Sequence, residues 1–117
     1  MILQEALIHR MFLIIDAREW DSLGEVFAPD VQYHRPGYPG IIGIDDLKKF
    51  YAEIRIISSG QHIISEILVD SKKGACWGHF KGQARSNETI AEDFAEWYEF
   101  SGSAISVRRT FFYEPAV

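Results

Sequence analysis

Three features of the sequence predict an α+β fold. Helix-period apolar spacing is confined to the first half, strand-like runs of about ten residues fill the second half, and the length suits one packed core. The chain has 117 residues, near the commonest domain size, and a core of this size buries about two-thirds of the unfolded surface. A single domain over residues 1–117 is expected. Apolar residues make up 47% and charged residues 25%, values that separate it from disordered and fibrous chains.

Leu3, Leu7, Met11 and Ile14 recur on one helical stripe that Ile8, Phe12 and Ile15 widen, which predicts a well-buried helix over 2–17. In DSLGEVFAPD, Asp21 or Ser22 caps a second, short helix, Leu23, Val26 and Phe27 supply its apolar side, and Pro29 closes it. VQYHR alternates as a strand and stops at Pro36 and Gly37. A third helix starts after Gly43, with Asp45 and Asp46 in the first turn, where the helix dipole favours carboxylates, and Leu47, Phe50, Tyr51 and Ile54 on one face. QHIISEILVD, GACWGHFKGQAR, TIAEDFAEWYEF and AISVRRTFFYE follow as strands separated by SKK, SNE and SGS, the spacing of an antiparallel meander. Helices first and a curved meander afterwards place the helices over one face of the sheet.

The formal net charge is -5 and no run of Lys and Arg exceeds a pair, so the footprint for nucleic acid or an anionic membrane is missing. The expected partner is a small hydrophobic molecule or another protein chain. Cys76 is the only cysteine and cannot close an internal disulfide, and no Cys/His spacing resembles a zinc site. A reducing cytoplasm is the expected compartment. Glu5, Arg10, Asp16 and Arg18 interrupt the apolar N-terminus, so neither a signal-peptide core nor a membrane span is expected there. RPGYPGIIG lacks the Lys and the strand-to-helix context of a phosphate loop, and no nucleotide cofactor is implied.

DAREWDSLGEVFAPDVQYHRPG, GIDDLKKFY, the strand beginning GQHII, and FAEWYEFSGSAISVRRTFF together resemble the nuclear transport factor 2-like superfamily, and within it the SnoaL-like, polyketide cyclase-like branch. The similarity covers nearly the whole chain. It implies a cone-shaped scaffold, with three N-terminal helices packed on a curved antiparallel sheet, a pocket between them, and a homodimer formed through the convex sheet face. It does not specify one activity, because isomerases, cyclases, dehydratases, epoxide hydrolases and plain binding modules share that scaffold. Aligned on FAPD, Arg35 occupies the place of the proton-shuttling aspartate of ketosteroid isomerase, Met11 that of its helix-one tyrosine, and Glu96 that of its protonated aspartate. An arginine cannot serve as that base, so steroid isomerisation is not expected.

Strand parity suggests which side chains enter the pocket. A two-residue turn at Asn87 and Glu88 sets His79 opposite Glu96 and Trp77 opposite Tyr98. A three-residue SGS loop sets Glu96 opposite Arg108, and a two-residue turn at Lys72 and Lys73 sets Glu66 opposite His79. Glu66, His79, Glu96 and Arg108 would then form one row, walled by Trp77, Tyr98, Leu68, Ile64, Phe94 and Phe112. The other face would show Cys76, Gly78, Phe80, Gly82, Ala84, Ala91, Ala95, Trp97, Val107, Phe111 and Tyr113, the expected dimer contact. A one-residue slip inverts such an assignment.

In YHRPGYPG, Tyr33 and Arg35 share the pocket side and His34 points away. A histidine beside carboxylates is held near a neutral pKa, poised for general acid/base work. His79 with Glu96 fits by residue type the His and Asp arrangement that the SnoaL-like resemblance implies. Arg35 and Arg108 would stabilise an enolate or bind a substrate carboxylate. The expected chemistry is cofactor-free proton abstraction beside a carbonyl, followed by cyclisation, isomerisation or dehydration. Tyr33, Glu66, Trp77, Tyr98, Phe112, Met11 and His62, the last at the rim, are the expected substrate contacts. Asp16, Arg18 and Trp20 read as helix-end packing. A divalent metal on two histidines and two carboxylates rests on cross-strand spacing alone. Against the enzyme stands a binding module on the same scaffold, in which the charged row would be satisfied within itself.

Overall fold

A computed structural model describes residues 2–114; the ends of the expected 1–117 domain lie outside the described residues. Helix α1, Leu3–Asp16, buries Leu7, Ile8, Met11, Phe12, Ile14 and Ile15, as its spacing requires, while Leu3 is left half exposed. It ends with Arg18 at φ 58°, where the Arg18 and Glu19 amides donate to the carbonyls of Ile15 and Ile14. A non-glycine residue in this left-handed conformation costs about 1–2 kcal/mol. Stacking on Trp20 at 5.3 Å and a hydrogen bond to the Ile57 carbonyl at 3.4 Å offset that cost.

The second helix is a 310 turn, Trp20–Glu25, shorter than expected. Phe27 and Pro29 belong instead to strand β1, Phe27–His34. Its ladder is irregular between Phe27 and Gln32, which accommodates a proline that cannot donate to its neighbour. After the short strand β2, Ile41–Ile42, helix α2 runs Ile44–Lys49 and continues as a π-helical turn, Phe50–Ile54. Gly43 enters it at φ 89°.

Strands β3 (Ile57–Val69), β4 (Lys73–Ala84), β5 (Thr89–Ser101) and β6 (Ala104–Phe112) are the expected meander. The sheet order is β2-β1-β6-β5-β4-β3, with β1 running parallel to β6 and every other pairing antiparallel. The helices cover one face of this curved sheet. No helix among the described residues is long and apolar enough to cross a membrane.

The register corrects three expected turns. The β4–β5 connection is longer than two residues: Gln83 pairs with Thr89, and Asn87 adopts φ 68°. Consequently His79 pairs with Asp93, Trp77 with Ala95, and Cys76 with Glu96. The odd shift exchanges the two faces of β4 relative to β5. Between β3 and β4, Val69 pairs with Gly74 and Glu66 with Trp77, an even shift that leaves Glu66 on the same face as His79, and a bulge between Ile64 and Glu66 then reverses the parity, so that His62 pairs with Phe80 on the helix-covered face. Between β5 and β6, Glu96 pairs with Thr110 and Tyr98 with Arg108, an even shift that keeps Glu96 and Arg108 on the same face. Cys76, Gly78, Phe80, Gly82 and Ala84, expected outside, therefore lie on the helix-covered face, while Ala91, Ala95, Trp97 and Phe111 are outside as expected.

The bulge brings β3 close to β4 at Gly78, where an added Cβ would stand 2.2 Å from the Ile63 carbonyl oxygen. Gly78→Ala should cost about 1–3 kcal/mol, read as a lower urea midpoint with an unchanged m-value.

Candidate functional site

Glu96 on β5 and Arg108 on β6 form the buried centre of the helix-covered face, with 3% and 2% exposure. Arg108 donates from Nε to Oε1 at 2.9 Å and from Nη2 to Oε2 at 2.7 Å, a bidentate pair. Tyr98 donates to Oε1 at 2.5 Å and Thr110 to Oε2 at 2.6 Å. Four donors saturate the carboxylate. Burial works to raise the pKa of Glu96, yet the charge and hydrogen bonds of Arg108, with Thr110 and Tyr98, hold it below the ordinary value. Glu96 is thus ionised and fully engaged, without capacity to accept a substrate proton.

The network extends outward in both directions. Because the Thr110 hydroxyl donates to Glu96, the Tyr33 hydroxyl donates to Thr110 at 2.9 Å and accepts from Arg35 Nη1 at 3.2 Å. Arg108 Nη1 donates to the Tyr51 hydroxyl at 2.5 Å, which leaves the Tyr51 proton available for another acceptor. Cys76 lies 3.3 Å from the Tyr98 hydroxyl, and burial, with Glu96 adding, pushes its thiol up to about 12. It is not a nucleophile at neutral pH.

A cavity adjoins this network, bounded by Tyr33, Tyr51, Arg108 and Thr110 on one side and by Arg55, His62 and Phe80 on the other. Arg35, Glu92 and Phe112 also line it. It is small, about 20 Å³, where one water needs about 10–15 Å³.

The histidine at this cavity is His62. Its ring packs against Phe12 and Phe80, both at 4.7 Å, and Phe94 at 5.5 Å. Nδ1 lies 2.6 Å from Asp16 Oδ1, and the His62 main-chain N–H donates to Asp16 Oδ2 at 2.8 Å. A carboxylate is acceptor-only, so Nδ1 carries the hydrogen and Nε2 keeps its lone pair. Burial lowers the His62 pKa; the hydrogen bond and charge of Asp16 oppose this, and Arg55 and Arg108 reinforce it. The net direction is down, giving a neutral, oriented imidazole at pH 7.

The expected row is thereby divided. His79 lies on the outer face, hydrogen-bonded through Nδ1 to Asp93 at 2.7 Å and partly exposed; it meets neither Glu96 nor Glu66. Glu66 and Trp77 are exposed outside. Tyr98 is wholly buried in the hydrogen-bond network, and Met11 is wholly buried in the core behind the cavity. Tyr33 and Arg35 are buried at the cavity, while His34 is only partly buried. His62 is deeper than a rim residue.

Sequence reasoning missed Tyr51 and Thr110 and took Asp16 for helix-end packing, while the place of Arg55 at the end of the third helix left it able to reach the pocket mouth. Asp16 had a legible signal: an acid in the last turn of a helix with no basic residue there opposes the dipole, which calls for a partner elsewhere. Among the described residues, no group of three or more His, Cys, Asp and Glu side chains is placed to hold a metal ion.

Residues 8–113 match the SnoaL-like domain family, and the chain belongs to it. No protein of curated function matches the sequence. Several solved structures share the fold. A SnoaL-like polyketide cyclase candidate from Jannaschia sp. CCS1 is 11% identical with a TM-score of 0.82, the match covering 95% of this chain and 85% of that one. A hypothetical protein of ketosteroid isomerase-like fold from Catenulispora acidiphila, in complex with trimethylamine, is 14% identical with a TM-score of 0.80, covering 90% and 83%. An LEH-like epoxide hydrolase from M. tuberculosis is 12% identical with a TM-score of 0.78, covering 92% and 80%. Proteins described by different chemistries thus share this architecture.

Two stability predictions follow from the buried charges. Arg108→Met strands an ionised Glu96 and should cost about 3–5 kcal/mol in urea unfolding. The folded state binds a proton at His62 less readily than the unfolded chain, so stability should fall as pH drops below the ordinary value of 6.5 towards the lowered folded value. In His62→Gln, urea midpoints measured across that window should lose this component.

Proposed function

We propose that the protein is an acid/base enzyme acting on a small hydrophobic carbonyl compound, with His62 as the base and Asp16 as the group that orients it. The observation that carries this reading is the His62–Asp16 contact at 2.6 Å beside a cavity. Nε2 of His62 takes the proton from the carbon beside the carbonyl. The C–H electron pair moves into the new C=C bond and the carbonyl π pair onto oxygen. The Tyr51 hydroxyl, polarised by the hydrogen bond it accepts from Arg108, donates to that oxyanion. Return of the proton at another carbon gives isomerisation, its delivery to a leaving hydroxyl gives dehydration, and attack of the enolate carbon on a second carbonyl gives cyclisation. Glu96, saturated by four donors, holds Arg108 in place rather than moving a proton.

The self-satisfied Glu96 network is what a binding module would also display, so turnover is the discriminating measurement. In D₂O, a panel of small ketones and keto acids should exchange the hydrogens beside the carbonyl in NMR spectra. His62→Gln should lower the rate about 10²–10⁴-fold with near-UV circular dichroism unchanged, and the wild-type rate should rise with pH to a plateau whose apparent pKa is below 6.5. Exchange undiminished in His62→Gln overturns the assignment.

The outer sheet face is the proposed contact with a second copy. Ile63, Leu68, Trp77 and Phe111 are 49%, 78%, 53% and 52% exposed there, with Ala91 and Ala95 between them. Glu66, Asp93, Lys81 and Arg109 supply both signs of charge on the same face, a pattern that can complement itself about a two-fold axis. Sedimentation should give a dimer, and Phe111→Asp a folded monomer.

A further inference from the structure

We propose that the cavity recognises the carboxylate of a small organic acid and that Arg55 is its receptor. This deepens the acid/base reading by naming the substrate class of the same site. Arg55 is 5% exposed. Its side chain lines the cavity, and its Nε has no hydrogen-bond partner. Among the described residues, no carboxylate forms an ion pair with its guanidinium and its Nε is buried without an acceptor. Its neighbours are ring faces, Tyr51 at 5.3 Å and Phe80 at 5.7 Å. Rings stabilise a cation but leave its N–H groups unsatisfied. Buried charges are ordinarily paired, and this one faces empty space.

The position of Arg55 is fixed from behind. The π-helical turn ends on it, with its N–H donating to the Phe50 carbonyl at 2.8 Å. Its own carbonyl accepts from Arg85 Nε at 2.8 Å, while Arg85 Nη2 reaches the Ala52 carbonyl at 3.2 Å. A planar guanidinium carried on a main chain anchored in this way and flanked by the rings of Tyr51 and Phe80 offers a bidentate site for a carboxylate.

The remaining charges agree. Arg35 and Arg108 line the same cavity. Of the carboxylates there, Glu96 is saturated by its four donors, and Glu92 is partly exposed. Asp16 is engaged with His62. Burial, with Arg35 and Arg108 contributing, lowers the Arg55 pKa to about 10, so it is charged at neutral pH and an anion would relieve its isolation. The free space of about 20 Å³ suits a carboxylate head, the body of the ligand lying towards Arg35 and Phe112. Arg55 and His62 both pack on Phe80, which sets a carboxylate bound at Arg55 beside the base.

The test is calorimetric binding of acetate, pyruvate and benzoate, each against its neutral amide, at pH 7. Wild-type protein should prefer each acid by at least about tenfold. Arg55→Met should lose that preference, and Arg55→Lys should keep part of it. His62→Gln should retain it, which separates this proposal from the acid/base reading: loss of proton exchange with intact acid preference sinks neither, whereas exchange without acid preference sinks only the Arg55 assignment. Equal affinity of wild type for acids and amides, or acid binding by Arg55→Met within twofold of wild type, overturns the proposal. Should Arg55→Met fail to fold, the wild-type comparison decides. Crystals soaked in sodium bromide give a second reading, with an anomalous peak at Arg55 supporting the proposal and peaks elsewhere only opposing it.

Discussion

The buried Glu96–Arg108 pair is the constraint around which the other parts are arranged. An ion pair at about 3% exposure is tolerable only when nearly every lone pair and proton finds a partner, and those partners come from different elements. Tyr98 belongs to β5, Thr110 to β6 and Tyr51 to the π-helical turn after α2, and Thr110 in turn holds Tyr33 of β1. Slipping β6 against β5 by one residue would turn Arg108 outward and leave Glu96 charged and alone. The network therefore penalises the wrong register more than it rewards the right one, which suits long strands joined by short, permissive turns. It also fixes the wall of the cavity, because Arg108 and Thr110, which satisfy Glu96, also line it.

How much was legible in the sequence depended on which quantity was being read. Burial periodicity is local, so α1, the third helix and all four long strands were placed close to their observed bounds. Facing direction within the sheet is not local: it depends on counting residues through every turn and bulge between two strands. The β4–β5 turn at Asn87 and the bulge after Ile64 each add an odd step, and each leaves only a weak mark in sequence. The Glu96 and Arg108 faces came out right because their error was even. His79 and Glu66 came out wrong together because the odd β4–β5 step separates both from Glu96, and the bulge then turns His62 inward. Cys76 and the glycines of β4 were misread for the same reason, as small residues that suit an outer contact also suit a strand passing close to its neighbour.

The histidine and its acid were separated by a different difficulty. Asp16 closes a helix and His62 lies on the edge strand β3, 46 positions apart, and neither periodicity nor turn counting brings them together. Chemistry offers the better clue. Asp16 sits where the helix dipole disfavours it, and Arg18 holds a left-handed conformation immediately after it, so the end of α1 carries two local costs. Such costs gather where an arrangement has been kept for something other than stability, and the capping geometry that bends the chain at Arg18 also leaves the Asp16 side chain directed at β3.

Two ionisable systems thus share one cavity with their proton affinities driven apart. Glu96 is kept ionised by a bidentate guanidinium and cannot serve as an acid at neutral pH. His62 is kept neutral by its aromatic surroundings and by the nearby guanidiniums of Arg55 and Arg108, even though Asp16 pulls the other way. Separation of this kind assigns roles without reference to any relative: the group that can accept a proton is the imidazole, and the groups that can meet a developing negative charge are the Tyr51 hydroxyl and the guanidiniums. The same guanidiniums that lower the proton affinity of His62 would gather an anionic substrate. A bound anion near Arg55 would then offset part of their effect and raise the affinity of the base for the proton it removes, so binding and proton transfer would be coupled through one local charge balance.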